Sequence, residues 1–117
     1  MPLLLNGNKA KIESLQAREL AKTKEAEFTR EQLETNLSNA FDQYYTYKAE
    51  YTYYMDTALQ YADQLLLSAK TGFTIGEIGY LEYITALQYA SDTRIRFLER
   101  VHQLNQTVIQ IQSLTQQ

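Results

Sequence analysis

The sequence predicts an all-α protein, a long antiparallel helical hairpin of the coiled-coil type. Three of its four glycines fall within the eight positions from Gly72 to Gly79, and long stretches on both sides contain neither glycine nor proline. In those stretches apolar residues recur in alternating steps of three and four, which is the spacing of a helix that packs along one seam. Because glycine enters backbone conformations that other residues adopt only at a cost, the cluster predicts a turn between two helical arms.

Composition limits what the chain binds. The formal net charge is −3 over 117 residues, so neither a nucleic acid nor an anionic lipid surface is expected as a partner. The absence of cysteine excludes disulfides and thiolate metal sites. Residues 1–5 form too short an apolar stretch for a signal peptide or a membrane span, so export would depend on a longer precursor.

The first arm begins with a short lead-in. Residues 1–8 contain Pro2 and the turn-forming Asn6, Gly7 and Asn8, and they predict an extended segment that ends in a helix cap. A long first helix is predicted over residues 9–71. Its first 62 residues, from Lys9 to Lys70, lack Pro and Gly and would span roughly 93 Å.

Two apolar stripes run along this helix. The first stripe comprises Leu33, Leu37, Ala40, Tyr44, Tyr47, Tyr51, Tyr54, Ala58, Tyr61 and Leu65. The second stripe, interrupted by Lys48 and Thr52, comprises Phe41, Tyr45, Met55, Leu59, Ala62, Leu66, Ala69 and Phe73. One stripe makes a two-helix seam, whereas two adjacent stripes fit either a helix with neighbours on two sides, as in a barrel of helices, or a core helix.

The tip turn is predicted at residues 72–78 and the second helix at 79–117. Glu77 with Thr74 and Glu82 with Gly79 offer two alternative helix starts. The later start is favoured because the earlier one would place two glycines in the first turn. The second helix carries its own stripe, interrupted by Arg94, which comprises Tyr80, Tyr83, Leu87, Ala90, Phe97, Val101, Leu104, Val108 and Ile111.

The two arms have unequal lengths. Folding the chain about residue 75 places Gln117 opposite Leu33, so residues 9–32 are expected to lack a partner within the chain. Residues 9–34 carry 12 charged side chains in 26 positions, whereas residues 35–70 carry 6 in 36. This segment is either a solvated helix or one whose partner lies outside the chain.

No constellation of an enzyme is recognisable. Glu99 and His102 have the spacing of a helical carboxylate–histidine metal motif, but such sites need a second copy and His102 is the only histidine. Ser91, Asp92 and His102 lie on one predicted helix and would form no pocket. We therefore expect no catalytic residues, no metal site and no cofactor.

The turn and its flanks resemble a known family. The segment Phe73-Thr74-Ile75-Gly76-Glu77-Ile78-Gly79-Tyr80-Leu81-Glu82-Tyr83-Ile84-Thr85-Ala86 is similar to the periplasmic tip of TolC-type outer-membrane efflux proteins. The opening Pro2-Leu3-Leu4-Leu5-Asn6-Gly7-Asn8-Lys9-Ala10-Lys11-Ile12 looks like the point where a membrane strand of that family passes into its long helix. Among such proteins the tip is most similar to those of heavy-metal efflux systems, some of them fused to the inner-membrane pump.

The resemblance implies a place in a larger assembly. In that family such hairpins line up side by side into a periplasmic α-barrel, and the full protein is a trimer. The tip of the barrel docks end-on against a membrane-fusion adaptor. The adaptor in turn works with an inner-membrane pump of the resistance-nodulation-division type. The expected adaptor contacts are the tip residues Phe73, Thr74, Ile75, Gly76, Glu77 and Ile78.

Within this tip Gly76 would allow close backbone approach, Ile75 and Ile78 would supply apolar contact, and Glu77 stands where some members carry a hydrophobic residue. The expected location is the periplasm or outer membrane of a Gram-negative bacterium, as part of a longer precursor whose missing parts hold the membrane contact. The alternative is a free-standing coiled-coil hairpin that serves as an interaction module.

Overall fold

The computed structural model describes the backbone of residues 2–116, and side chains from Asn6 onward. It confirms an all-helical hairpin. Helix α1 spans Pro2–Tyr53, a π-helical segment spans Tyr54–Ala58, α2 spans Leu59–Thr74 and α3 spans Tyr80–Thr115. No strand occurs in these residues, and none of their helices has a stretch long and apolar enough to cross a membrane.

Two compact units make up the chain, one ending at Ser38 and one beginning at Asn39. The first is helical, and its side chains from residue 6 to residue 32 are exposed. Charged residues pair along it, as in Lys24 with Glu27 at 3.6 Å and Arg30 with Glu34 at 3.3 Å. Such exposed pairs stabilise a helix by only a few tenths of a kcal/mol each.

Helix α1 begins earlier than the sequence predicted. Residues 2–8 are helical, so the extended lead-in is replaced by a helical turn; Met1 lies outside the described residues. Proline is tolerated in the first turn of a helix because its missing N–H has no helical partner there. Gly7 costs about 1 kcal/mol relative to alanine, and it is followed by a long run of good helix formers. At the other end the helix continues to Thr74, beyond the predicted residue 71.

The second unit is the hairpin proper, and the most buried positions of its seam carry small side chains. The buried positions are Ala40, Ala58, Ala62, Ala69, Gly72, Ala86, Ala90, Thr93 and Thr107. Among the described residues no large side chain is fully buried. The hydroxyls of Thr93 and Thr107 donate to the carbonyls of Tyr89 (2.9 Å) and Gln103 (2.8 Å), so both buried polar groups are satisfied.

The π-helical segment changes which stripe faces the partner helix. A π-turn places one extra residue in a helix, so everything after it rotates relative to the preceding face. Up to Ala58 the seam follows the first stripe, and beyond it the seam follows the second, through Ala62 and Ala69. Tyr61 of the first stripe is 55% exposed, whereas its neighbour Ala62 is fully buried. The first stripe that the sequence predicted is therefore wrong at Tyr61, whereas Leu65 of that stripe and Leu66 of the second stripe are both half-buried.

Helix α3 starts at the later of the two predicted positions. Gly79 is its N-cap, with extended backbone, and the N–H of Tyr83 donates to the Gly79 carbonyl at 3.2 Å. Arg94, which interrupts the predicted stripe, is exposed, and Thr93 takes the buried position beside it. Tyr80, predicted at the start of the stripe, is also exposed.

Candidate docking site at the hairpin tip

Gly76 ends the first arm. Its φ is +81°, in the left-handed region that favours glycine. Ile75, the residue before it, is the C-cap of α2. The N–H of Glu77 donates to the carbonyl of Gly72 at 2.8 Å, and the N–H of Gly76 donates to that of Phe73 at 3.2 Å. These two bonds define a Schellman motif, which satisfies carbonyls that the helix end would otherwise leave unpaired.

Ile78 closes the tip over the helix. A β-carbon at position 72 would lie 3.4 Å from Cγ1 of Ile78, so the missing side chain of Gly72 leaves room for Ile78. The N–H of Ile78 also points to the Gly72 carbonyl, at 3.3 Å. Within the chain the close approach is thus made at Gly72, whereas nothing lies within 4 Å of a β-carbon built at Gly76.

Aromatic rings join the two arms just behind the turn. Phe73 stacks on Tyr83, with ring centroids 5.2 Å apart and planes within 10°, and it also meets Tyr80 at 6.1 Å. Offset stacking of this kind contributes on the order of 1 kcal/mol beyond the burial of the rings. The turn is therefore held from both sides, by backbone hydrogen bonds and by this cluster.

The six predicted tip residues divide into two groups. Phe73, Gly76 and Ile78 build the turn, and the hydroxyl of Thr74 donates back to the Lys70 carbonyl at 2.8 Å. Ile75 and Glu77 remain exposed, with Ile75 62% exposed. Phe73, at 40%, and Thr74 are exposed as well, but the ring of Phe73 stacks on Tyr83 and the hydroxyl of Thr74 bonds back to its own helix.

Two further exposed apolar residues flank the turn, one on each arm, and sequence reasoning did not assign them to the tip. Leu67 lies in a shallow depression with Lys70, Thr71, Thr74 and Ile75. Leu81 is 77% exposed, more than any other large apolar residue described. Both stand outside the stripes with steps of three and four. The sequence could have indicated these two residues, because both are apolar, lie close to the turn and fall outside the seam positions that helical spacing predicts.

The exposed apolar side chains at the tip suit the binding of another protein. In the part of the chain that the structure describes, no three His, Cys, Asp or Glu residues gather to hold a metal ion. His102 is exposed, and it shares an open depression with Glu99, Ile95, Leu98 and Gln103. Exposed apolar side chains on a well-ordered turn are typical of a protein-contact site.

Comparison of the chain with protein-family models, with curated proteins and with solved structures found no match in any of the three.

Proposed function

We propose that this chain is the helical hairpin of a TolC-type outer-membrane channel component of a tripartite efflux pump, which exports metal ions, drugs or other small molecules. Its tip docks end-on against a membrane-fusion adaptor. The proposal rests on the similarity of residues 73–86 to that family's tip and on the form of the turn itself.

One observation carries the docking role. Ile75 is an exposed apolar side chain fixed on a hydrogen-bonded turn, between Thr71, whose carbonyl accepts its N–H at 3.1 Å, and the left-handed Gly76. A rigid apolar side chain loses little conformational entropy when a partner covers it, so it contributes more affinity than a mobile one. Glu77 beside it supplies a charge that would select for a basic or hydrogen-bonding position on the adaptor.

Ile75, rather than Gly76, is the residue whose change tests docking. A side chain at position 76 would strain the left-handed backbone, so lost binding could reflect an altered turn. Ile75 has ordinary negative φ and an exposed side chain, so Ile75→Glu leaves the fold in place. Ile12→Glu is the matched control, because Ile12 is similarly exposed but lies in the first unit.

The experiment is a pull-down with a purified membrane-fusion adaptor from the same organism. Ile75→Glu is expected to weaken adaptor binding at least about tenfold, equivalent to about 1.4 kcal/mol, while Ile12→Glu binds like the unaltered chain. Equal binding by all three proteins would contradict the tip role.

The alternative function, a free-standing coiled-coil interaction module, is supported by the self-contained packing of residues 39–117. Fractionation of cells that express the full-length protein separates the two proposals. A channel component is expected in the envelope fraction, and recovery in the cytoplasm would favour the interaction module.

A further inference from the structure

The hairpin has two faces that differ in chemistry. Adjacent residues of a helix point about 100° apart. In an antiparallel pair of helices, the residue one position after each seam residue therefore points to the same side of the hairpin on both arms. Those that precede seam positions share the opposite face. Contacts between the arms agree with this geometry: Tyr61 meets Tyr89 on the preceding side, and Asp63 meets Arg94 at 2.8 Å on the following side.

The face formed by residues that precede the seam is polar between residues 39 and 50 and between residues 96 and 110, whereas its exposed tyrosines, Tyr53, Tyr61 and Tyr89, lie closer to the tip. At its centre Glu50 pairs with Arg100 at 2.6 Å, and Arg100 also donates to the side chain of Gln103 at 2.8 Å. Its other members include Asn39, Gln43, Thr46, Arg96 and Gln110, which are all exposed. Water solvates such a face without a partner.

Over the same part of the hairpin the opposite face is mainly apolar, with Lys48 and His102 near its middle, and the charged pair Asp63 and Arg94 lies on it only closer to the tip. Phe41, Tyr45, Met55 and Leu98 are exposed there, Tyr45 and Leu98 by 63% each. Between the arms on this side lies a groove lined by Phe41, Tyr44, Val108, Ile111 and Gln112. We call the four exposed residues with this groove the apolar face.

We propose that a second copy of this chain packs on the apolar face, so that two hairpins form a four-helix bundle. This goes beyond the proposed function, because side-by-side assembly into a barrel would use the edges of the hairpin and not this face. The four exposed side chains present on the order of 400 Å² of apolar surface, since a buried aromatic side chain covers roughly 200 Å². A standard interface buries about 800 Å² on each partner, a little over half of it apolar, so the face is large enough.

Charge selects the orientation of the second copy. Glu50 pairs with Arg100, so Lys48 lies level with His102 near the middle of the apolar face. The ammonium of Lys48 lies 5.7 Å from the centre of the Tyr44 ring, which keeps it beside this face. If the tips of the two copies pointed in opposite directions, the first arm of one copy would lie on the first arm of the other. Lys48 would then meet Lys48 of the second copy. With both tips at the same end, Lys48 lies across from His102 and close to Glu99 of the second copy, which avoids like charges in contact.

Sedimentation of the full chain tests the interface. The unaltered protein is expected to sediment as a dimer at micromolar concentrations. The double variant Tyr45→Glu with Leu98→Glu is expected to dissociate at least about tenfold more readily, equivalent to about 1.4 kcal/mol. The matched control, Gln43→Glu with Gln110→Glu, adds the same charge on the polar face and should remain dimeric. Circular dichroism should show equal helix content in all three, because each altered side chain is exposed.

Single cysteines test the orientation, because the chain has no thiol of its own. Mixed Lys48→Cys and His102→Cys proteins are expected to form a disulfide-linked heterodimer at least ten times faster than Lys48→Cys protein links to itself. A monomer, or a dimer that both double variants leave unchanged, would overturn the proposal. Faster linkage of Lys48→Cys to itself would overturn the orientation. None of these results depends on the adaptor, so they are independent of the docking test.

Discussion

Glu50 and Arg100 form a half-buried ion pair that links the two arms of the hairpin. Oε2 of Glu50 lies 2.6 Å from Nε of Arg100, and the side chains are 40% and 30% exposed. The short distance is an ionic contact rather than an aligned hydrogen bond, because Oε2 is buried and no donor meets it with good geometry. The second pair between the arms, Asp63 with Arg94, is hydrogen-bonded at 2.8 Å and more exposed, at 61% and 52%.

The two pairs are expected to differ in their contribution to stability. Arg100→Met keeps the length of the side chain but leaves a partly buried carboxylate without a cation, which should lower the free energy of unfolding by about 1–2 kcal/mol. Arg94→Met should change it by less than about 0.5 kcal/mol, because solvent screens the exposed pair. Urea unfolding followed by circular dichroism measures both. Equal effects would show that burial does not set the strength of these pairs.

A prediction for the tip follows from the backbone of Gly76. Gly76→Ala should cost about 1–2 kcal/mol, because an L-residue is strained at φ +81° even though its β-carbon meets no other atom. Gly76→Asn should cost less, since asparagine tolerates this conformation better. Gly79→Ser, at the same tip, should leave stability equal or higher, because Gly79 has negative φ and serine is a good N-cap. The three unfolding midpoints in urea give the comparison, and a loss from Gly79→Ser as large as that from Gly76→Ala would contradict it.

Much of the fold follows from local sequence signals. The glycines from Gly72 to Gly79 predicted the turn, and the scarcity of glycine and proline elsewhere predicted two long helices, both of which the structure contains. The choice of Gly79 as the start of α3 also matched, because glycine inside the first helical turn is costly. These features depend on the conformational preferences of single residues, which a sequence states directly.

Other features depend on packing that single-residue preferences do not specify. The regular alternation of three-residue and four-residue steps predicted Tyr61 on the seam. Because of the π-turn, Ala62 lies there instead. Ala62 and Ala90 are both fully buried in this part of the seam, and Tyr61 meets Tyr89 outside it. At the tip, the sequence marked the right segment. Only the folded turn shows that Ile78 packs on Gly72 and Phe73 stacks on Tyr83, whereas Ile75 and Glu77 are exposed.

The π-turn gives a prediction of its own. Deletion of Thr57, an exposed residue within it, should convert the segment to regular α-helix. Because the extra residue is removed where it was accommodated, Tyr51 and Tyr54 stay on the seam, and Leu59 and Ala62 follow at the ordinary steps of four and three. The free energy of unfolding should therefore change by no more than about 1 kcal/mol.

Deletion of Thr46 is the matched comparison, because it also removes one exposed threonine, but from regular helix in the same unit. It rotates the preceding part of the helix by about 100°, which takes Ala40 and Tyr44 off the seam. Burial of those side chains would be lost, at about 2 kcal/mol or more. Thermal unfolding of the two deletion variants beside the unaltered chain measures the difference. If deletion of Thr57 destabilised the hairpin as much as deletion of Thr46, the π-turn would not be the site of the extra residue.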